Sequence, residues 1–222
     1  MAVIRFNRPE KRNATTLPMQ LLLRAAIDAV AADTKARALV VTGEGGDFCV
    51  GGDFEVSRRI AAEPDHAVYA TACHRATIAA LLALRIPVIA AVEGAALGFG
   101  AEFVACCDYV VMGEAAWLAD PHMAMGLAPA PALLMLWPRL VGAAVAEELL
   151  RTGRKVMAAE ALARGLAGQV VPAGGALATA LAIAAAGSVQ ARLPRPTLAE
   201  LDACYPPGVL AGVPVEAPGA HG

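Results

Sequence analysis

Two glycine-rich segments hold the residues of this chain best suited to chemistry: Phe48-Cys49-Val50-Gly51-Gly52-Asp53-Phe54 and Gly94-Ala95-Ala96-Leu97-Gly98-Phe99-Gly100-Ala101-Glu102. Small side chains at such turns leave backbone N–H groups open. Two such turns facing one point make an oxyanion hole, which stabilises negative charge developing on a carbonyl oxygen. Glu102 closes the second segment near the start of an apolar helical stretch, where the helix N-terminus favours its ionised form while burial opposes it. His122 offers an imidazole able to give or take a proton near neutral pH. Cys49 adjoins the first segment, but no histidine stands beside it in sequence, and it reads as a small packing residue.

These groups need elements to hold them. The runs Ala38 to Thr42 and Pro87 to Val92 are too short and apolar for surface helices and read as buried parallel strands. Both glycine-rich loops then leave the same edge of one sheet, where α/β folds build their sites. Upstream, Ala2 to Phe6 alternates as a strand and leads into a helix from Leu17 to Ala31, with Thr16 as N-cap and Pro18 in its first turn. A helix from about His66 to Leu84, a buried helix from Gly98 to Cys107 and a strand from Asp108 to Met112 continue a ββα progression with parallel crossovers. Helices follow over Ala132 to Leu140, Val145 to Arg151 and Ala158 to Arg164, with a short strand or turn at Gln169-Val170-Val171. From Arg192 onward, Pro194, Pro196, Pro206, Pro207, Pro214 and Pro218 interrupt any long helix, so an irregular tail is expected.

Composition narrows the function further. The 222 residues suit one domain with a real core, and a net charge of -2 gives no footprint for a polyanion, so no nucleic-acid partner is expected. The most apolar stretch, Ile86 to Cys107, is broken by Glu93, Glu102 and several glycines, which argues against a membrane span. The N-terminus enters a strand directly, with no basic leader before an apolar segment, and a cytoplasmic protein is expected. Cysteines 49, 73, 106, 107 and 204 have no CxxC spacing, and His66 and His74 are not an i, i+4 pair on their helix. No metal is expected. Glu147 and Glu148 read as solvent-facing.

The segments Asn7-Arg8-Pro9-Glu10-Lys11-Arg12-Asn13-Ala14, FCVGGD, Ala90-Ala91-Val92-Glu93-Gly94 with ALGFGAE, and Cys107-Asp108 occur in this order over roughly residues 2 to 172. Their order and spacing resemble the enoyl-CoA hydratase/isomerase (crotonase) superfamily. The resemblance implies an α/β crotonase-like (ClpP/crotonase) fold of repeated ββα units: a core over 1–172, a shortened helical C-terminal segment over 173–191, and a proline-rich irregular tail over 192–222. It also implies an acyl-CoA substrate, coenzyme A entering only as part of that substrate with no separate cofactor, and homo-oligomers built as trimers or paired trimers. Family members continue into helices that cover the acyl pocket, and the proline-rich tail stands in their place here.

Carried onto this sequence, the resemblance makes the Gly52 and Phe99 N–H groups the oxyanion donors. Phe99 replaces a usual glycine and narrows the acyl pocket. Glu102 becomes the residue that activates water for C3. A second glutamate normally delivers the proton to C2, and its position holds His122. Asp120 is near enough in sequence to orient that imidazole, but neighbours in an extended strand point to opposite faces, so it is not expected to do so. Arg12 and Ala14 fall where the coenzyme A chain enters, and Gly51, Asp53, Phe54, Gly98, Pro121 and Gly126 fall around the substrate. The reaction expected is hydration of an enoyl-CoA through an oxyanion-stabilised enolate, a lyase reaction of fatty acid metabolism. The alternatives are C–C bond hydrolysis or decarboxylation with His122 replacing the second glutamate, and a catalytically impaired acyl-CoA-binding or subunit-associating protein.

Overall fold

Short β-branched and alanine-rich runs alternate with helices along the chain, and a computed structural model describes residues 1–191, 195–205 and 210. In chain order the elements are β1 (Ala2–Phe6), α1 (Leu17–Ala32), β2 (Leu39–Gly43), α2 (Phe54–Ala62), α3 (Pro64–Ala83), β3 (Val88–Val92), β4 (Ala95–Leu97), α4 (Phe99–Cys106), β5 (Tyr109–Gly113), β6 (Trp117–Ala119), α5 (Pro131–Val141), α6 (Ala143–Thr152), β7 (Val156–Met157), α7 (Ala158–Ala163), β8 (Gln169–Val171), α8 (Ala176–Ala186) and α9 (Leu198–Asp202).

Five strands pair in the order β1-β2-β3-β5-β8, every neighbour parallel. A parallel sheet is covered on both faces, and the two-residue period of its strands sorts their side chains accordingly. Val40, Ile89, Ala91 and Val111 pack under α8 with Ala176 and Ala180. Leu39, Val41, Val88, Ala90, Val92 and Met112 face the main core with residues of α1, α3, α4 and α5. The alanines of α8 let its backbone lie close over β2, β3 and β5.

A second sheet joins β4 to β6 in parallel and β6 to β7 antiparallel. Two isolated parallel bridges, Thr15 with Gly52 and Cys49 with Ala96, extend the same pairing. Each unit therefore sends one strand to the large sheet and a second, shortened strand to the small one before its helix. This is the expected ββα repetition, with the second strands reduced to three residues or a single bridge. Both glycine-rich segments lie along these second strands.

Helix positions follow the expected ones closely, and Thr16 caps α1 by accepting the Met19 N–H at 3.4 Å. Two features depart from expectation. The helix expected from His66 begins at Pro64 and is preceded by α2, which Asp53 caps by accepting the Glu55 N–H at 2.9 Å and the pairs Arg58–Glu55 and Arg59–Glu63 brace. The expected irregular tail contains α9, because Thr197 and Glu200 form a capping box that starts a helix between the prolines. Arg195 anchors its entry through Asp108, 2.6 Å away. Arg192, Pro194, Pro206, Pro207, Pro214, Pro218 and His221 lie outside the described residues. Among the described residues no helix is long and apolar enough to cross a membrane.

Candidate active site

All eight residues of α4 are buried, so Glu102 in its first turn is satisfied largely by protein groups. Its Oε1 accepts the Ala132 N–H at 2.7 Å, an otherwise unpaired donor at the start of α5. Its Oε2 lies 2.5 Å from His74 Nε2, and His74 Nδ1 lies 2.8 Å from the Tyr205 hydroxyl. Burial first, then the charge of Glu102, pushes the Tyr205 phenol up, so it keeps its proton. With the phenol donating to Nδ1, the imidazole carries its proton on Nε2, directed at Glu102. The carboxylate is thus held by α3, α5 and the segment after α9. Neither Arg12 nor Arg139 is its partner: they pair with Asp47 and Glu200.

His122 stands just past β6 and is held differently. Its Nδ1 bonds to Asp120 Oδ1, while Asp120 Oδ2 accepts the Ala130 N–H at 3.0 Å. This corrects the expectation for Asp120: it and His122 are two positions apart, not adjacent, and the chain leaves β6 at Ala119, so both turn to one side. With Nδ1 engaged, Nε2 has no hydrogen-bond partner among the described residues. Burial opposes the imidazolium, but the hydrogen bond and charge of Asp120, joined by the charge of Glu102, outweigh it and raise His122 above its ordinary 6.5. Gly98 lets the ring approach: a Cβ there would sit 3.2 Å from His122 Cε1, on a backbone with φ +48°.

Gly52, His74, Phe99, Glu102, His122 and Tyr205 line one cavity of about 240 Å³, closed on its apolar sides by Leu17, Val56, Ala70 and the stretch Ala128, Pro129, Ala130 and Pro131. Gln20 and Thr71 are its other polar walls. The Phe99 N–H opens α4, where no intrahelical acceptor exists. Neither it nor the Gly52 N–H bonds to an acceptor among the described residues. The two loops meet at this point, since a Cβ on Gly51 would lie 3.7 Å from the Phe99 nitrogen.

Four of the expected site residues, Gly52, Phe99, Glu102 and His122, therefore come together, and the rest stand around them. Gly51 and Gly98 shape the two loops behind the cavity wall with positive φ. Asp53 caps α2 and pairs with Arg8 at 2.6 Å, and Phe54 is 80% exposed. Ala14 is buried, its carbonyl accepting from Arg8, and Arg12 turns its guanidinium onto Asp47 at 2.7 Å. Between them, buried Asn13 bonds the Glu44 and Asp47 carbonyls and accepts the Arg8 N–H, which fixes the loop. Pro121 precedes His122, and Gly126 ends the 3₁₀ turn Met123–Met125. Cys49 is buried, with its thiol pushed up to about 12 by burial, which suits packing and not nucleophilic attack.

Sequence reasoning missed His74 and Tyr205. His74 shares an alanine-rich helix with His66 but belongs to no local motif, and Tyr205 lies 131 positions away from it. Only the Thr197–Glu200 capping box signalled that ordered chain lay near Tyr205.

Residues 1–193 match the enoyl-CoA hydratase/isomerase family model. The chain is 36% identical over 167 residues to YngF of Bacillus subtilis, covering 75% of this chain and 64% of that one. It is 34% identical over 172 residues to crotonyl-CoA hydratase of Syntrophomonas wolfei, covering 77% and 65% respectively. It thus spans a little under two thirds of the length of these two relatives. The crystal structure of enoyl-CoA hydratase from Bacillus anthracis superposes with a TM-score of 0.79 at 30% identity, over 84% of this chain and 72% of that chain. An α/β core of ββα units with its cavity at the strand ends defines the class of protein. The chain belongs to the enoyl-CoA hydratase/isomerase family and has the crotonase fold.

Proposed function

We propose that this chain adds water across the double bond of a short 2-enoyl-CoA thioester, a lyase reaction of acyl-CoA and fatty acid metabolism. One observation carries the reading: two unpaired backbone N–H groups, Gly52 and Phe99, border the same cavity as a buried carboxylate and an imidazole. The thioester oxygen sits between the two N–H donors, which stabilise the enolate as it forms. Glu102 uses two of its four acceptor sites on Ala132 and His74 and takes the proton of the attacking water with another. The hydroxyl bonds to C3, electrons move through the enolate, and His122 gives its Nε2 proton to C2. One proton has left water and one has reached carbon; transfer from Glu102 back to His122, directly or through solvent, restores both groups.

The Asp120–His122 pair fits the role of the missing second glutamate because Asp120 favours the charged imidazole and aims it by its Nδ1. The cavity volume suits a short acyl group. The same reading takes the protein as a cytoplasmic trimer or pair of trimers, binding coenzyme A only as part of its substrate and using no metal or separate cofactor. A second reading, C–C hydrolysis of a β-keto thioester with His122 as base, is favoured by the resemblance of the Asp120–His122 pair to an acid-oriented base. Incubation with crotonyl-CoA separates them. Loss of enoyl absorbance with formation of the 3-hydroxy thioester is expected, and turnover of only a β-keto or malonyl thioester overturns hydration.

A further inference from the structure

His122 has the setting of a general base as well as that of an acid. Its Nδ1 is tied to Asp120, a buried carboxylate whose other oxygen is fixed by the Ala130 N–H at 3.0 Å. His122 belongs to the cavity lining and Asp120 does not, so with Nδ1 turned to Asp120 it is Nε2 that is left for the cavity. The ring also rests on the second glycine-rich loop. A Cβ on Gly98 would lie 3.2 Å from Cε1 and 3.8 Å from Nε2, and Gly98 immediately precedes the Phe99 N–H. Nε2 therefore stands beside one of the two donors assigned to the carbonyl oxygen. A thioester oxygen held there keeps its carbonyl carbon only about 1.2 Å away. A buried carboxylate, an imidazole oriented by it and two fixed N–H donors are the parts that direct water onto a carbonyl carbon.

We propose a further activity of this cavity: hydrolysis of acyl-CoA thioesters that offer no double bond, with His122 as general base. The neutral imidazole, its Nδ1–H held by Asp120, takes a proton from water at Nε2 as the water oxygen bonds to the thioester carbon. The carbonyl electron pair moves onto the oxygen between the Gly52 and Phe99 N–H groups. When it returns, the C–S bond breaks and the imidazolium gives its proton to the leaving sulfur. Water has supplied OH to the acid and H to the thiol, and no other reactant is consumed. The inference rests on the reading of Gly52 and Phe99 as holders of a thioester oxygen. One imidazole then serves two reactions in opposite states, charged for hydration and neutral for hydrolysis. Burial opposes the charge, while Asp120 from the end of β6 and Glu102 from α4 favour it and prevail. His74 of α3 and Tyr205 beyond α9 are the other titratable groups of the cavity wall. Hydrolysis is therefore weak below the raised value of His122 and full above it, the reverse of hydration.

Butanoyl-CoA isolates this activity, since it has no double bond to hydrate and no β-keto group to cleave. Thiol release is followed against an enzyme-free blank. The wild-type chain is expected to release thiol above the blank, at a rate that rises over the pH range in which crotonyl-CoA hydration falls. His122→Gln is expected to lower that release by about 10²-fold. Asp120→Asn separates the two reactions. An amide that keeps its oxygen on the Ala130 N–H turns its NH₂ to Nδ1, so the neutral ring carries its proton on Nε2 and has no base there. Hydrolysis is then expected to fall by about 10²-fold while hydration falls by about tenfold, and the hydration retained reports that the variant folds. No release above the blank, release unchanged in His122→Gln, or equal losses of both reactions in Asp120→Asn overturns the inference. Release without any hydration of crotonyl-CoA leaves hydrolysis standing and removes the hydratase reading, and hydration without release does the reverse.

Discussion

Glu102 and His122 face the same cavity, yet the chain holds them by different means. Glu102 is 0% exposed and is fixed by partners 28 and 30 positions away, His74 and Ala132, with Tyr205 behind His74. The His74 ring also packs edge-on against Phe99 and Tyr205. His122 has a side chain 29% exposed, with its orienting carboxylate two positions away and that carboxylate's own anchor, the Ala130 N–H, ten from Asp120. Beside it Met123, Met125 and Leu127 are exposed. One group is a product of the whole fold, and the other is a local unit on a loop. The difference teaches where such a site can change its chemistry: a carboxylate tied into three elements is hard to replace, whereas a group set by its own loop can be exchanged without rebuilding the core.

The largest expected effect breaks the comparison at its rigid side. Glu102→Gln keeps an acceptor for Ala132 but removes the proposed base, and kcat for enoyl-CoA hydration is expected to fall by about 10²- to 10⁴-fold. Thioester binding, measured separately by calorimetry, is expected to survive. A variant that still hydrates at near wild-type rate would move the base elsewhere.

A smaller effect is expected on the local side. Asp120→Asn can still accept the Ala130 N–H, but it removes the charge that helps raise His122. As proton donor, His122 must be protonated, so kcat/KM falls as pH rises through its raised value. Without Asp120 that alkaline limb is expected to move to lower pH, with about tenfold lower activity at neutral pH. Stability has the same sign: the raised imidazole contributes fully below its unfolded value of 6.5 and loses that contribution as pH rises through the folded value. The dependence of Tm on pH across this window is expected to shrink in Asp120→Asn. A limb that does not move would mean that His122 is not the group titrating in catalysis.

The parts of the site legible in the sequence are those built from local chain. The glycines that open the two loops and Glu102 in the first turn of α4 need only neighbouring residues, and their order carried the family. The small sheet was harder to read, because β4 and β6 have three residues each, β7 has two, and the further pairings of that layer are single bridges. The Asp120–His122 contact was misjudged by treating a two-residue separation as adjacency; positions i and i+2 share a face in extended chain. His74 was unreadable for another reason. Its partners are on α4 and beyond α9, and helical spacing within α3 gives no hint of them. The expectation for the tail rested on the proline spacing after residue 192 alone and left the Thr-x-x-Glu cap that starts α9 unread.

The smallest effect sharpens the comparison, because Tyr205 touches Glu102 only through His74. Tyr205→Phe keeps the ring that packs beside His74 and removes only the hydroxyl at 2.8 Å from Nδ1. The imidazole then loses the donor that leaves its Nε2 proton facing Glu102, and the other tautomer becomes accessible. A fall in kcat of about three- to tenfold with KM unchanged is expected, since one neutral hydrogen bond is at stake. The nitrogen chemical shifts of His74 should report the change of tautomer, which a merely structural contact would not alter. If the shifts change and kcat does not, Glu102 tolerates either tautomer, and its position depends on Ala132 and packing alone. If Tyr205→Phe is as damaging as Glu102→Gln, the outer hydroxyl is as necessary as the base itself, and the segment after α9 becomes part of the catalytic machinery and not only its support.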